Sequence, residues 1–107
     1  MDKKRTGFVK PIKEFIQRLK KEYSPSLIML FGSRARGENL VESDYDILVV
    51  SSKFRGKGWI RRHEEVYSLW NEGFHLDILC YSPEEFEVKR NQIGVVKNAL
   101  EEGILLS

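Results

Sequence analysis

The sequence holds one cysteine in 107 residues, Cys80, so it can form neither an internal disulfide nor a cysteine-rich metal centre. That scarcity fits the reducing cytoplasm, which is the expected compartment. No apolar run approaches the ~18–20 residues of a membrane span. The basic start, Met1 to Gly7, leads into no long apolar stretch and no cleavage site, so no signal peptide is expected. An excess of one charge sign is missing as well. Eighteen Lys and Arg against sixteen Asp and Glu leave a net +2. That balance offers no global field for nucleic acid, and any basic site must be local. Internal repeats and low-complexity tracts are also absent.

What remains is a charged, globular composition, 41% apolar and 32% charged, at a length that suits a single domain over 1–107 with a core of its own. Pro11 suits a first helical turn, and Ile12, Phe15, Ile16 and Leu19 form an i, i+3, i+4, i+7 stripe. This helix should end near Tyr23, because Pro25 disfavours helix at Ser24. Leu27 to Phe31 reads as a buried strand that stops at Gly32. Ser33 to Asn39 is a polar connection, and Asp46 to Val50 reads as a second buried strand.

Lys53 to Gly58 is a basic, glycine-containing loop. Trp59, His63, Val66 and Trp70 then fall at helical spacing, with Gly73 as the stop. His75 to Tyr81 is a third strand. Ser82, Pro83 and Glu85 spell a capping box with proline at the first helical position. Gly94 separates that helix from another carrying Val95, Val96 and Leu100, which Gly103 ends. Ile104 to Leu106 is an apolar tail, either a short edge strand or a segment docked on the core. The expected class is α/β (α+β), a small mixed sheet of three core strands with helices packed on it.

Three pieces carry chemistry: Gly32-Ser33 with Arg34, Arg36 and Gly37; Asp44-Tyr45-Asp46; and Asp77. Asp44 and Asp46 share a strand face about 6.7 Å apart. The short link from Ser33 to Asp44 favours antiparallel neighbours. The stretch from Val50 to Asp77 has room for a helix and a parallel crossover. Asp46-Ile47-Leu48-Val49 matches Asp77-Ile78-Leu79-Cys80 in residue type, so parallel pairing would set Asp77 beside Asp46. At ~5.5 Å and an effective dielectric of 20, each like-charge pair costs about 3 kcal/mol. Protonation or, better, a bound divalent cation would offset that cost. Hard oxygen ligands without Cys or His point to Mg2+. The Gly32 corner and the Ser33 hydroxyl can hold phosphate oxygens, and Arg34 and Arg36 can add charge-assisted contacts.

This pattern resembles the DNA polymerase beta-like nucleotidyltransferase superfamily: Gly-Ser, a spacer, Asp-x-Asp and a third acid on a later strand. The small size is similar to its minimal nucleotidyltransferases in particular. The resemblance covers Leu27 to Tyr81 and implies a two-metal transfer of a nucleoside monophosphate. Asp44 and Asp46 would bind two Mg2+ ions. Asp77 would bind the metal on the nucleophile side and help deprotonate the acceptor hydroxyl. Gly32 and Ser33 would hold the triphosphate of a nucleotide such as ATP. The family further implies a partner, a small helical HEPN toxin that is modified with AMP on a tyrosine by its antitoxin.

Two other readings stand beside this one: a module that binds its partner and inhibits it sterically, and a transferase acting on a small molecule or an RNA end. The run Lys53, Arg55, Lys57, Arg61 and Arg62 reads as a solvated face, with contact to RNA or an acidic partner as the alternative. His63 reads as a packed core or boundary residue, His75 as structural, Cys80 as a buried small hydrophobe, and Trp59 and Trp70 as core or interface. Apolar residues at 104–106 hint at an interface, which leaves a homo-oligomer open.

Overall fold

Leu27–Phe31 (β1) and Tyr45–Val50 (β2) are the two apolar strands the sequence marks out, and they pair antiparallel with Phe31 opposite Asp46. In the computed structural model, residues 12–32, 45–71 and 75–106 are described. Leu76–Tyr81 (β3) runs parallel to β2, with Asp46 opposite Asp77 and Ile47 opposite Ile78. The expected sheet of three strands gains a fourth. Ile104–Leu105 (β4) pairs antiparallel with β1, giving the order β3-β2-β1-β4. Two residues are too few for a periodicity, so the sequence could not separate a strand from a docked tail. A close approach brings the segment in. A Cβ on Gly103 would lie 2.6 Å from the Met29 sulfur, and Leu106 N–H donates to Ile28 O at 2.8 Å.

Strand alternation divides the core between two faces. One face buries Ile28, Leu30, Tyr45, Ile47, Val49, Ile78 and Cys80. It is covered by the helix Lys13–Tyr23 (α1), whose stripe Phe15, Ile16, Leu19 and Tyr23 is the one its spacing predicts. α1 ends as Pro25 requires, with Ser24 left-handed at φ 43° and its N–H returned to Lys20 O. The other face buries Met29, Leu48, Val50 and Tyr81 under Phe86 and Val96, which belong to the helices Pro83–Arg90 (α3) and Val95–Glu102 (α4).

Trp59–Tyr67 (α2) is shorter than its apolar spacing suggests. It gives way at Ser68 to i→i+3 turns, Leu69 N–H to Val66 O and Trp70 N–H to Tyr67 O, both 3.0 Å. That turn lets Trp70 meet Phe15 edge-on at 5.1 Å and Tyr45 at 5.8 Å. Trp70 is therefore a core residue, while Trp59 is 45% exposed and lies against His63 and Tyr81. Cys80 is buried, and desolvation pushes its thiol up to about 12, so it behaves as the inert hydrophobe expected.

The basic run is spent on the chain itself. Arg55 pairs with Glu84, Lys57 with Glu65 at 2.6 Å, and Arg61 with Glu65 at 2.9 Å. Lys53 Nζ donates to Glu22 O. Arg62 departs furthest from a solvated face. It is 5% exposed, with its guanidinium on Lys57 O, Cys80 O and the Glu85 carboxylate. Glu85 also closes the capping box by accepting from Ser82 N–H at 2.8 Å, so one carboxylate joins α2 to the start of α3.

The bond from Arg62 is the main reason the Glu85 carboxyl falls from 4.5 to about 2. Lys57 and then Arg61 lower Glu65 equally far. A carboxyl depressed on folding adds stability above its unfolded value and loses it as pH falls through its folded value. The urea midpoint should therefore fall as pH drops from about 4.5 towards 2. Glu85→Gln should flatten that dependence, and circular dichroism across this window checks both expectations.

Candidate functional site

Asp46 is the one half-buried position in a strand whose other five residues are buried. By alternation it shares a face with Leu48 and Val50, at the end away from the helices that cover Val50 and Tyr81. Its parallel partner Asp77, which is exposed, shares that face with Leu79 and Tyr81. Two carboxylates thus occupy facing register positions, as the matched segments predict. Gly32, directly after β1, completes the corner. It stands at φ 75°, a region that costs a side chain dearly, and a Cβ there would run into the Asp46 carboxylate, 3.1 Å from its Cγ.

The pair opens into a cleft of about 320 Å³ lined by Phe31, Asp46, His63, Tyr67, Asp77, Ile78 and Leu79. His75 Nδ1 stands 3.8 Å from Asp77 Oδ1, an electrostatic neighbour rather than a hydrogen bond. His75 is thus exposed beside the candidate site, where the sequence suggests only a structural residue. His63 and Tyr67 were not legible as site residues. Their spacing from Trp59, i+4 for His63 and i+8 for Tyr67, is the same signal that marks a packed stripe.

Of the expected site residues, the structure brings Gly32, Asp46 and Asp77 together. Ser33, Arg34, Arg36 and Asp44 lie outside the described residues. Among the described residues no cluster of three or more metal-ligating side chains occurs. The donor set nevertheless fits a hard divalent cation. Asp46 and Asp77 offer only oxygen, and their mutual repulsion favours a positive charge between them.

Ala at position 32 would carry both the left-handed backbone and the overlap with Asp46. Gly32→Ala should therefore destabilise the fold by about 1–2 kcal/mol. By displacing the Asp46 carboxylate it should also lower any activity of this site by about 100-fold. Urea denaturation and a rate assay on the same preparation separate the two effects.

Residues 12–106 match the family model described as the nucleotidyltransferase domain. The chain belongs to that family. It is 54% identical over 43 residues to a Methanocaldococcus jannaschii protein provisionally named a protein adenylyltransferase. That match spans 38% of this chain and 43% of the relative, less than half of either. Among solved structures, a nucleotidyltransferase assigned by inference in Sulfolobus solfataricus superposes with a TM-score of 0.67 at 22% identity, over 96% of this chain and 82% of that one. BolA1 from Arabidopsis thaliana superposes with a TM-score of 0.58 at 25% identity, over 70% of this chain and 94% of its own. The two likenesses carry the fold, a mixed α/β layer that unrelated functions share. No helix among the described residues is long and apolar enough to cross a membrane.

Proposed function

We propose that this chain is a Mg2+-dependent adenylyltransferase that moves AMP from ATP to a hydroxyl of a protein acceptor, a tyrosine on a small helical HEPN partner, and so acts as the antitoxin of a toxin–antitoxin pair. Residues 1–107 act as one catalytic domain in this reading. The observation that carries it is the register pairing of Asp46 with Asp77, closed by a Gly32 corner that leaves no room for a side chain. The partial kinship to a protein named as an adenylyltransferase supports a protein acceptor.

The reaction balances simply. The acceptor oxygen attacks the α-phosphorus, the bond to the β-phosphate oxygen breaks, and pyrophosphate leaves. The acceptor proton passes to a carboxylate, for which Asp77 is the better placed because it is the more exposed of the pair. The Gly32 backbone, Ser33, Arg34 and Arg36 hold the triphosphate, and Asp44 joins Asp46 and Asp77 as a metal ligand. A bound divalent cation would supply neutralisation of the carboxylates and phosphates.

An RNA acceptor is disfavoured by the pairing of the basic run with Glu65, Glu84 and Glu85, which leaves it little charge for a phosphate backbone. The test is incubation of the chain with its co-expressed partner, Mg2+ and ATP labelled at either the α- or the γ-phosphate. Label from the α-position alone should appear on the partner. Its absence, with both proteins folded, would overturn the proposal.

A further inference from the structure

Among the described residues β3 is an edge strand, and it carries Asp77. Tyr45 N–H donates to His75 O, and Ser51 N–H donates to Tyr81 O, so the odd-numbered carbonyls of this segment face β2. Those of Leu76, Ile78 and Cys80 alternate with them and face away from the sheet. An open row of this kind normally frays or recruits another strand. Here three side chains of α2 meet it in turn. Tyr67 Oη donates to Leu76 O, His63 Nε2 stands 2.9 Å from Ile78 O, and an Arg62 guanidinium nitrogen donates to Cys80 O at 3.0 Å.

The first two carbonyls flank Asp77 on either side. His63 Nδ1 also lies 2.8 Å from Trp59 O. Both neighbours are carbonyl oxygens and only accept, so a proton on Nε2 donates to Ile78 O and one on Nδ1 donates to Trp59 O; the contact to β3 requires the first. Resting on the metal-dependent reading above, we propose that Tyr67 and His63 are positioning residues that hold Asp77 at its register with Asp46, on the side of β3 where the described residues place no further strand. Arg62 anchors the same strand two residues further along.

The need for such a clamp is electrostatic. Without a cation the two facing carboxylates push apart, and β3 is the strand free to yield, since β2 is fixed between two neighbours. A divalent cation bound by both groups needs their spacing set beforehand, which is what outer partners of metal ligands provide.

The test uses Mn2+ as a paramagnetic probe, titrated into the full chain and followed by electron paramagnetic resonance. The proteins compared are the wild type, Asp77→Asn, Tyr67→Phe, His63→Leu and His63→Gln, each checked by circular dichroism to be folded at the assay temperature. Asp77→Asn should weaken Mn2+ binding most. Tyr67→Phe and His63→Leu should each weaken it about tenfold. His63→Gln, which keeps an N–H near the Nε2 position, should restore most of the loss. A purely structural role would not produce that rescue at equal folded fraction. If Asp77→Asn binds Mn2+ as the wild type does, the metal-dependent reading fails. If Asp77→Asn is weakened while Tyr67→Phe and His63→Leu match the wild type, the clamp is overturned. Should Tyr67→Phe not fold, the His63 pair decides alone.

Discussion

Asp46→Asn is expected to lower nucleotide transfer at least about 1000-fold, the scale at which loss of a group that acts in the transition state shows itself. The same change should leave the fold intact. Asp46 makes up one side of a like-charge pair with Asp77, and at ~5.5 Å such a pair costs from about 1 kcal/mol in water-like surroundings to about 3 kcal/mol at an effective dielectric of 20. Asn fills nearly the same volume beside Gly32 and carries no charge. A structural residue would behave in the opposite way, since changing a half-buried position on a central strand should then cost stability and spare chemistry. The measurement is a pair, the thermal midpoint without metal and the rate with metal and nucleotide. Loss of both together would mean that Asp46 supports the strand rather than the reaction.

The carboxylate half of this arrangement is legible because strand geometry is local. Two segments with the same order of residue types, Asp46 to Val49 and Asp77 to Cys80, pair parallel in the register that their likeness suggests. A short connection placed β1 antiparallel to β2, and Ser82, Pro83 and Glu85 announced a helix start that both halves of the capping box confirm. The other wall of the cleft was hidden for a physical reason. Trp59, His63, Val66 and Trp70 share a helical spacing, yet only Val66 of the four is fully buried. α2 packs beside an edge strand, so its inward face meets open carbonyls as well as apolar side chains. Polar groups at Arg62, His63 and Tyr67 therefore point inward, where hydrophobic periodicity expects solvent or core. Arg62 was unreadable for a further reason. Its partner Glu85 is 23 residues away and already engaged in a cap.

Arg62 is also where the largest loss of stability is expected. Its guanidinium has three acceptors, Lys57 O at 2.8 Å, Cys80 O at 3.0 Å and the Glu85 carboxylate at 2.6 Å, and it lies 5.8 Å from the Phe54 ring centre. Arg62→Ala removes every one of these donors from an interior position, which typically costs about 3–5 kcal/mol. For a domain whose whole stability is about 5–15 kcal/mol, that is a large fraction. It should lower the thermal midpoint by at least about 12 °C. Arg62→Lys should rescue little, because a single ammonium cannot span the planar fork that reaches β3 and α3 together. Arg62→Met combined with Glu85→Gln separates pairing from burial. The neutral amide keeps an acceptor for Ser82 N–H, so the cap survives, and no carboxylate is left beside an apolar side chain. The double variant should therefore be more stable than Arg62→Ala, although still below the wild type, because Cys80 O and Lys57 O lose their donors. Urea denaturation of the three variants at pH 7 measures this order. A cost below about 1 kcal/mol for Arg62→Ala, the range of an exposed ion pair, would show that Arg62 does not join α2, β3 and α3.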